Sequence, residues 1–116
     1  MKTNQILEDL NSFTGTVNYY KAGLGIHYTD GVKHLADVCK SYWLIDMIVS
    51  WQVDKRVRKE EFQVCRLAVE NQIAVFTIED GNGNIVAVQE IAYTDFPLPN
   101  IEILYSNKII YLPSEH

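Results

Sequence analysis

Apolar and polar positions change their rhythm once along this chain, near residue 61. Before it, apolar residues recur every three or four positions, the spacing that gathers them on one face of a helix. After it they alternate and become β-branched, the spacing of strands with one buried face. The first part predicts a short amphipathic helix over residues 3–13, with Ile6, Leu7, Leu10 and Phe13 on one side and Gly15 as its stop. Brief extended pieces follow at 16–20 and 26–28, joined by a turn at 21–25.

The longest helical pattern runs from Thr29 to Gln52, with Thr29 or Asp30 as the cap that accepts from the free first-turn amides. Its apolar face does not hold one direction. At about 100° per residue, Ala36, Cys39 and Trp43 lie within about 40° of Val32, whereas Leu44, Met47, Ile48 and Trp51 centre about 110° away. A straight helix with that drift would expose one half, so a break is expected near Lys40–Ser41, with Ser41 capping the second segment. Residues 54–61 are charged at seven of eight positions and are expected to face water.

From Phe62 the alternation predicts strands over 62–69, 73–79, 85–93, 101–105 and 108–112. Turn-forming residues stand between most of them, at 70–72, 80–84 and 106–107. Pro97 and Pro99 exclude a central strand at 95–100. Short hairpin loops imply antiparallel neighbours. The expected fold is a single α+β domain of two layers: an antiparallel meander of four to five strands, covered on one face by an N-terminal helix and a long, kinked or broken central helix. The helical half is about 1–61 and the β half about 62–113.

With 47% hydrophobic and 22% charged residues in 116, the chain can build one ordinary core, and disorder is expected only at the first few residues and after Pro113. The net charge of −5 argues against a general nucleic-acid binder, which needs cations to displace phosphate counterions. Lys55, Arg56, Arg58 and Lys59 are the exception, four of the ten cations within five positions. They read as a solvated connection or as a patch for an acidic partner. The N-terminal residues lack the apolar run of a signal peptide, and no apolar stretch can cross a bilayer. With two isolated cysteines, Cys39 and Cys65, a reduced cytoplasmic protein is expected.

Candidate chemistry is sparse. Asp80–Asn84 opens like a calcium loop, but neither frame supplies both the glycine and the distal glutamate, so it reads as a hairpin turn. The cysteines and histidines have no zinc spacing, and no catalytic residue, metal site or cofactor is expected. Asp46 fits its surroundings least. On the phase of the first stripe it falls near Cys39 and Trp43, with Tyr42 and Ser50 a turn to either side. A buried carboxylate must be paired, protonated or reached by water. One reading makes it structural, tied to the sheet, perhaps to Arg66, or stabilised by the first turn of a second helical segment. The other makes it the floor of an aromatic cleft, a ligand site drawing on His27, Tyr28, Asp30, Tyr42 and Trp43.

Six segments, read in order, support a resemblance: Phe13–Thr16 (FTGT), Thr29–Val32 (TDGV), Tyr42–Asp46 (YWLID), Glu79–Asn84 (EDGNGN), Thr94–Pro99 (TDFPLP) and Leu112–Glu115 (LPSE). The chain resembles, over nearly its whole length, a group of small bacterial and phage proteins described only as a domain of unknown function. The resemblance implies a free-standing cytoplasmic domain, often carried on mobile elements, and brings no reaction and no site residues. The function expected is non-enzymatic protein binding, as an accessory of a phage or mobile element, with a protein partner or a second copy and no membrane. The alternatives are a small-ligand binder or enzyme around Asp46, and a nucleic-acid adaptor using Lys55 to Lys59.

Overall fold

The computed structural model describes residues 3–116. The expectation of disorder at the first residues falls on Met1 and Lys2, outside them. Helix α1 spans Thr3–Asn11 and buries Ile6 and Leu10. Two short strands follow, β1 (Tyr19–Gly23) and β2 (Ile26–Thr29), then helices α2 (Asp30–Cys39), α3 (Tyr42–Trp51) and α4 (Lys55–Arg58). Strands β3 (Phe62–Glu70), β4 (Ile73–Glu79), β5 (Ile85–Ile91), β6 (Asn100–Ser106) and β7 (Ile109–Tyr111) complete the sheet, and a 3₁₀ turn covers Pro113–Glu115.

The α+β class holds, but the sheet is larger than expected and is mixed. Seven strands lie in the order β1-β2-β7-β6-β3-β4-β5. The extended pieces expected before α2 are strands of the same sheet, and β2 runs parallel to β7, with His27 opposite Ile109. Hairpin signals could not reveal this, because a parallel pair needs a long crossover and leaves no local mark on the sequence. All other neighbours are antiparallel.

The break in the central helix is real. Lys40 takes φ 52°, a left-handed cap that directs its amide to the Ala36 carbonyl and ends α2. Thr29 caps the other end, accepting from the Val32 amide. Ser41 does not cap α3 as expected; its hydroxyl donates back to the Leu35 carbonyl at 3.5 Å. The charged run is also less uniform than predicted, since Val57 of α4 is wholly buried.

The helices cover the sheet face that carries Cys65, Leu67, Phe76, Ile78, Ile103 and Ile110, all buried. The opposite face carries Arg66, Ala68, Val75 and Val88, all exposed. After Pro113 the chain is ordered into its 3₁₀ turn, with Ser114 Oγ donating to the Leu10 carbonyl at 3.2 Å. His116 reaches the rings of Phe62 and Tyr111 on the open face.

Candidate functional site

The junction at Thr29–Gly31 is the most heavily bonded point in the molecule. Asp30 begins α2 and accepts from the Val17 amide (2.9 Å), the Asn18 amide (3.1 Å), Thr16 Oγ1 (3.1 Å) and the Tyr20 hydroxyl (2.9 Å). The two backbone amides, foremost, hold its carboxyl well below the usual carboxylate range. Glu115 reaches the same junction from the other end of the chain. Its carboxylate accepts from Thr29 Oγ1 (2.6 Å), the Gly31 amide (3.2 Å) and the Leu112 amide (3.0 Å). Free first-turn amides and a positive dipole end suit both acids.

Beside this junction is an open cleft of about 450 Å³, with Tyr19, Ser106, Tyr111 and His116 among its walls. Its acid is already engaged: Glu115 has three donors. Neither it nor Asp30 is a free base. Chemically, the junction locks the loop at 16–18, the start of α2 and the last turn together.

The expected cleft around Asp46 does not form. Asp46 is exposed, the fifth residue of α3 and so past its first turn, and among the described residues its side chain has no hydrogen-bond partner. Its column was projected from α2, and the break at Lys40–Ser41 resets the helical phase. The face of α3 that is buried carries Leu44, Ile45, Ile48 and Val49. Tyr42 donates instead to Asp37 of α2, and Ser50 bonds its own helix at the Met47 carbonyl. Arg66 lies on the open face between Glu79 and Glu102, 2.9 Å from each.

The remaining candidates divide between faces. Tyr28 stacks on Tyr20 at 5.4 Å, and through that ring it neighbours Asp30. His27 is the next residue along β2, so it points to the other side of the sheet. Trp43 packs edge-on against Phe96 at 6.3 Å and lines a different hollow, with Thr94 and Asp95. Thr94–Phe96 thus borders a hollow that shares no lining residue with the cleft beside Thr29–Gly31.

The cysteines are inert by environment. Both are free and buried; burial raises the Cys39 thiol to about 11 and Cys65 to about 12. The Asp80 carboxylate is taken by its own turn, accepting from the amides of Asn82 (2.8 Å) and Asn84 (2.9 Å). Of the basic run, Arg56 pairs with Asp54 at 3.1 Å, while Lys55, Arg58 and Lys59 are exposed with no ion-pair partner among the described residues.

Two features escaped the sequence reading. One is Glu115, whose only signal was its place in the terminal LPSE segment. The other is the edge strand β5, where nothing among the described residues pairs on the outer side. It is seven residues long, without proline or lysine, and Ile85 and Val88 are exposed on it at 61% and 53%. The other edge, β1, is shorter, carries Lys21, and is interrupted by a register shift between Lys21 and Gly23. Natural sheets blunt their edges with such devices. β5 has only Glu90.

No helix among the described residues is long and apolar enough to cross a membrane. Neither the curated proteins nor the solved structures contain a match to this chain. A family model does match, over residues 4–116, and the chain therefore belongs to that family, a family of unknown function (DUF6876).

Proposed function

We propose that this is a non-enzymatic protein-binding domain that works by strand addition at the β5 edge, its partner a second copy of the chain. The observation that carries the reading is the contrast between the two sheet edges. An edge strand of this length offers a row of free backbone donors and acceptors, and exposed apolar side chains beside them give the contact its area. Ile73 and Val75 of β4, exposed at 55% and 39%, extend that apolar strip over the open face.

The strand is self-complementary. Antiparallel pairing about its midpoint sets Val88 against the partner's Val88 and Ala87 against the partner's Gln89. Glu90 then faces the partner's Val86 rather than a second glutamate, so no like charges oppose each other. One strand pair with flanking apolar residues is a small interface, below about 1,200 Å², and suits association in the micromolar range. An accessory role on a phage or mobile element, in the cytoplasm, belongs to the same proposal. It draws on the family resemblance and on two cysteines that are buried and free.

The enzymatic or ligand-binding reading around Asp46 finds no support in an exposed, unpartnered carboxylate. The nucleic-acid reading is weakened by the pairing of Arg56 with Asp54 and by the net charge of −5.

Sedimentation velocity across the micromolar range tests the proposal. The wild type is expected to shift from monomer to dimer with rising concentration, and Val88→Lys to stay monomeric with an unchanged circular dichroism spectrum. A wild type that remains monomeric, or a Val88→Lys protein that still dimerises, rejects strand addition at β5.

A further inference from the structure

A second surface feature stands apart from β5 and from the Asp30 junction. A groove of about 280 Å³ opens where the tip of the β1–β2 hairpin, the turn between α3 and α4 and the β6–β7 hairpin meet. Its apolar walls are Leu24, Ile26 and Val53, and Tyr105 lies in it as well. The cations Arg58 and Lys108 line it, and among the described residues no carboxylate does. In a chain of net charge −5 that is an unusual corner.

The polar groups here are unequally committed. Gln52, also in the lining, is fully engaged with Gln63 and the Ile48 carbonyl. Arg58 and Lys108 have no ion-pair partner among the described residues, and the Tyr105 hydroxyl has no hydrogen-bond partner there. Tyr105 is only 8% exposed, and burial raises its hydroxyl above the ordinary phenol range, keeping it a neutral donor. The Tyr105 ring is mostly buried while its hydroxyl oxygen reaches solvent at the groove, where it is free to donate to a ligand.

Leu24 gives an independent indication. It sits at φ 54° between Gly23 and Gly25, a left-handed position where a bulky side chain is strained. It is nevertheless a leucine, 62% exposed, facing across the groove towards a second exposed apolar residue, Val53, at 63%. Neither contributes to the core. Lys108 folds back over this tip: a Cβ added to Gly25 would lie 3.6 Å from its Nζ. Strain, exposed apolar area and unpaired cations thus coincide at one place.

We infer that this groove binds a small carboxylate amphiphile, its head held by Arg58, Lys108 and the Tyr105 hydroxyl and its short aliphatic tail lying on Leu24, Ile26 and Val53. Charge complementarity selects an anion. Two cations and one neutral donor suffice for the two oxygens of a carboxylate, where the three oxygens of a phosphate ask for more. The volume lies just below the small end of ligand pockets, roughly 300 to 1,000 Å³, which limits the tail to a short chain.

Titration of the ¹⁵N-labelled protein with sodium octanoate tests this, alongside acetate, which has the charge without the tail, and octan-1-ol, which has the tail without the charge. Octanoate is expected to give saturable amide shifts centred on Leu24, Val53, Tyr105 and Lys108. Acetate and octan-1-ol should bind about tenfold more weakly, the loss of one charge-assisted or apolar contribution. Arg58→Gln and Lys108→Gln should each weaken octanoate by a similar factor, while Lys55→Gln does not. All three variants lie at exposed positions, and their own spectra report whether they fold. Binding of octanol equal to that of octanoate, indifference to both substitutions, or no saturable shift at several millimolar would each overturn the inference. Val88→Lys should leave this binding unchanged, which separates it from the β5 proposal.

Discussion

Gln52 and Gln63 exchange two hydrogen bonds inside the core, Gln52 Nε2 to Gln63 Oε1 at 2.8 Å and Gln63 Nε2 to Gln52 Oε1 at 2.9 Å. Gln63 is wholly buried, and its Nε2 also lies within hydrogen-bond distance of the carbonyls of Val57 (2.9 Å) and Glu60 (3.1 Å), so its two hydrogens are shared among three acceptors. One amide pair thereby joins the end of α3, the short helix α4 and the first strand of the β-rich half. Replacing Gln63 by leucine leaves Gln52 Oε1 and the Glu60 carbonyl without a donor, whereas Gln52 Nε2 keeps the Ile48 carbonyl (3.2 Å) and the Val57 carbonyl keeps the Glu60 amide (3.0 Å). The expected loss is about 2–4 kcal/mol, since each stranded buried group costs roughly 1–3 kcal/mol and the site relaxes in part. The double variant Gln52→Leu/Gln63→Leu should lose less than the sum of the two single variants, because it removes both halves of the pair. Urea denaturation of the four proteins measures the coupling.

Gly31 is the residue against which Glu115 closes. A Cβ there would lie 2.7 Å from Glu115 Oε1 and 2.7 Å from Leu112 Cδ1. Elsewhere in a helix, glycine to alanine is stabilising by roughly 0.5–1 kcal/mol. Here the sign is expected to reverse. Gly31→Ala should destabilise by about 1–2 kcal/mol, comparable to losing a helix cap, because the new methyl displaces the Glu115 carboxylate. Glu115→Ala should cost a similar amount, and the two together little more than either alone. Additive losses in thermal melts would show that the glycine and the glutamate do not share one interaction.

How far these features could be read from the sequence depends on how local their causes are. The helix break at Lys40–Ser41 was legible because it shifts the apolar phase of its own neighbours. The hairpins of β3, β4 and β5 were legible because Asn71 and the Asp80 turn are local signals, and Asn71 does take φ 53°. The β2–β7 pair was not, since His27 and Ile109 are joined only through the whole intervening chain. Asp46 failed for a related reason: a helical phase carried across a break no longer points anywhere. Glu115 and Thr29 meet from 86 positions apart, and neither residue alone announces the other.

Asp30 makes stability depend on pH in a stated direction. Amides of Val17 and Asn18, with the hydroxyls of Tyr20 and Thr16, depress its folded-state carboxyl. Such a group contributes stability that is full above the unfolded value, about 3.9, and is lost as pH falls through the lower folded value. Asp30→Asn keeps the shape and removes the charge. Its thermal midpoint should lie below that of the wild type at pH 7, and the gap should narrow as the pH falls below about 4. A gap that persists at acid pH would mean that shape, not charge, organises the loop.

The two cysteines should report on folding rather than on chemistry. Cys65 is 1% exposed and Cys39 5%, and burial holds both thiols far above neutral pH. Only the thiolate attacks a disulfide reagent, so both factors act in the same direction. With a chromogenic disulfide reagent at pH 8, the folded protein is expected to react with neither cysteine promptly, and the protein in guanidinium with both. Cys39 lies at the end of α2, beside the left-handed Lys40, whereas Cys65 lies in β3 between two hydrogen-bonded neighbours. Local opening at a helix end requires less free energy than separating a central strand. Cys39 should therefore react first at intermediate denaturant, and Cys65 only with global unfolding. Equal rates at every denaturant concentration would place the helix end and the central strand in one cooperative unit.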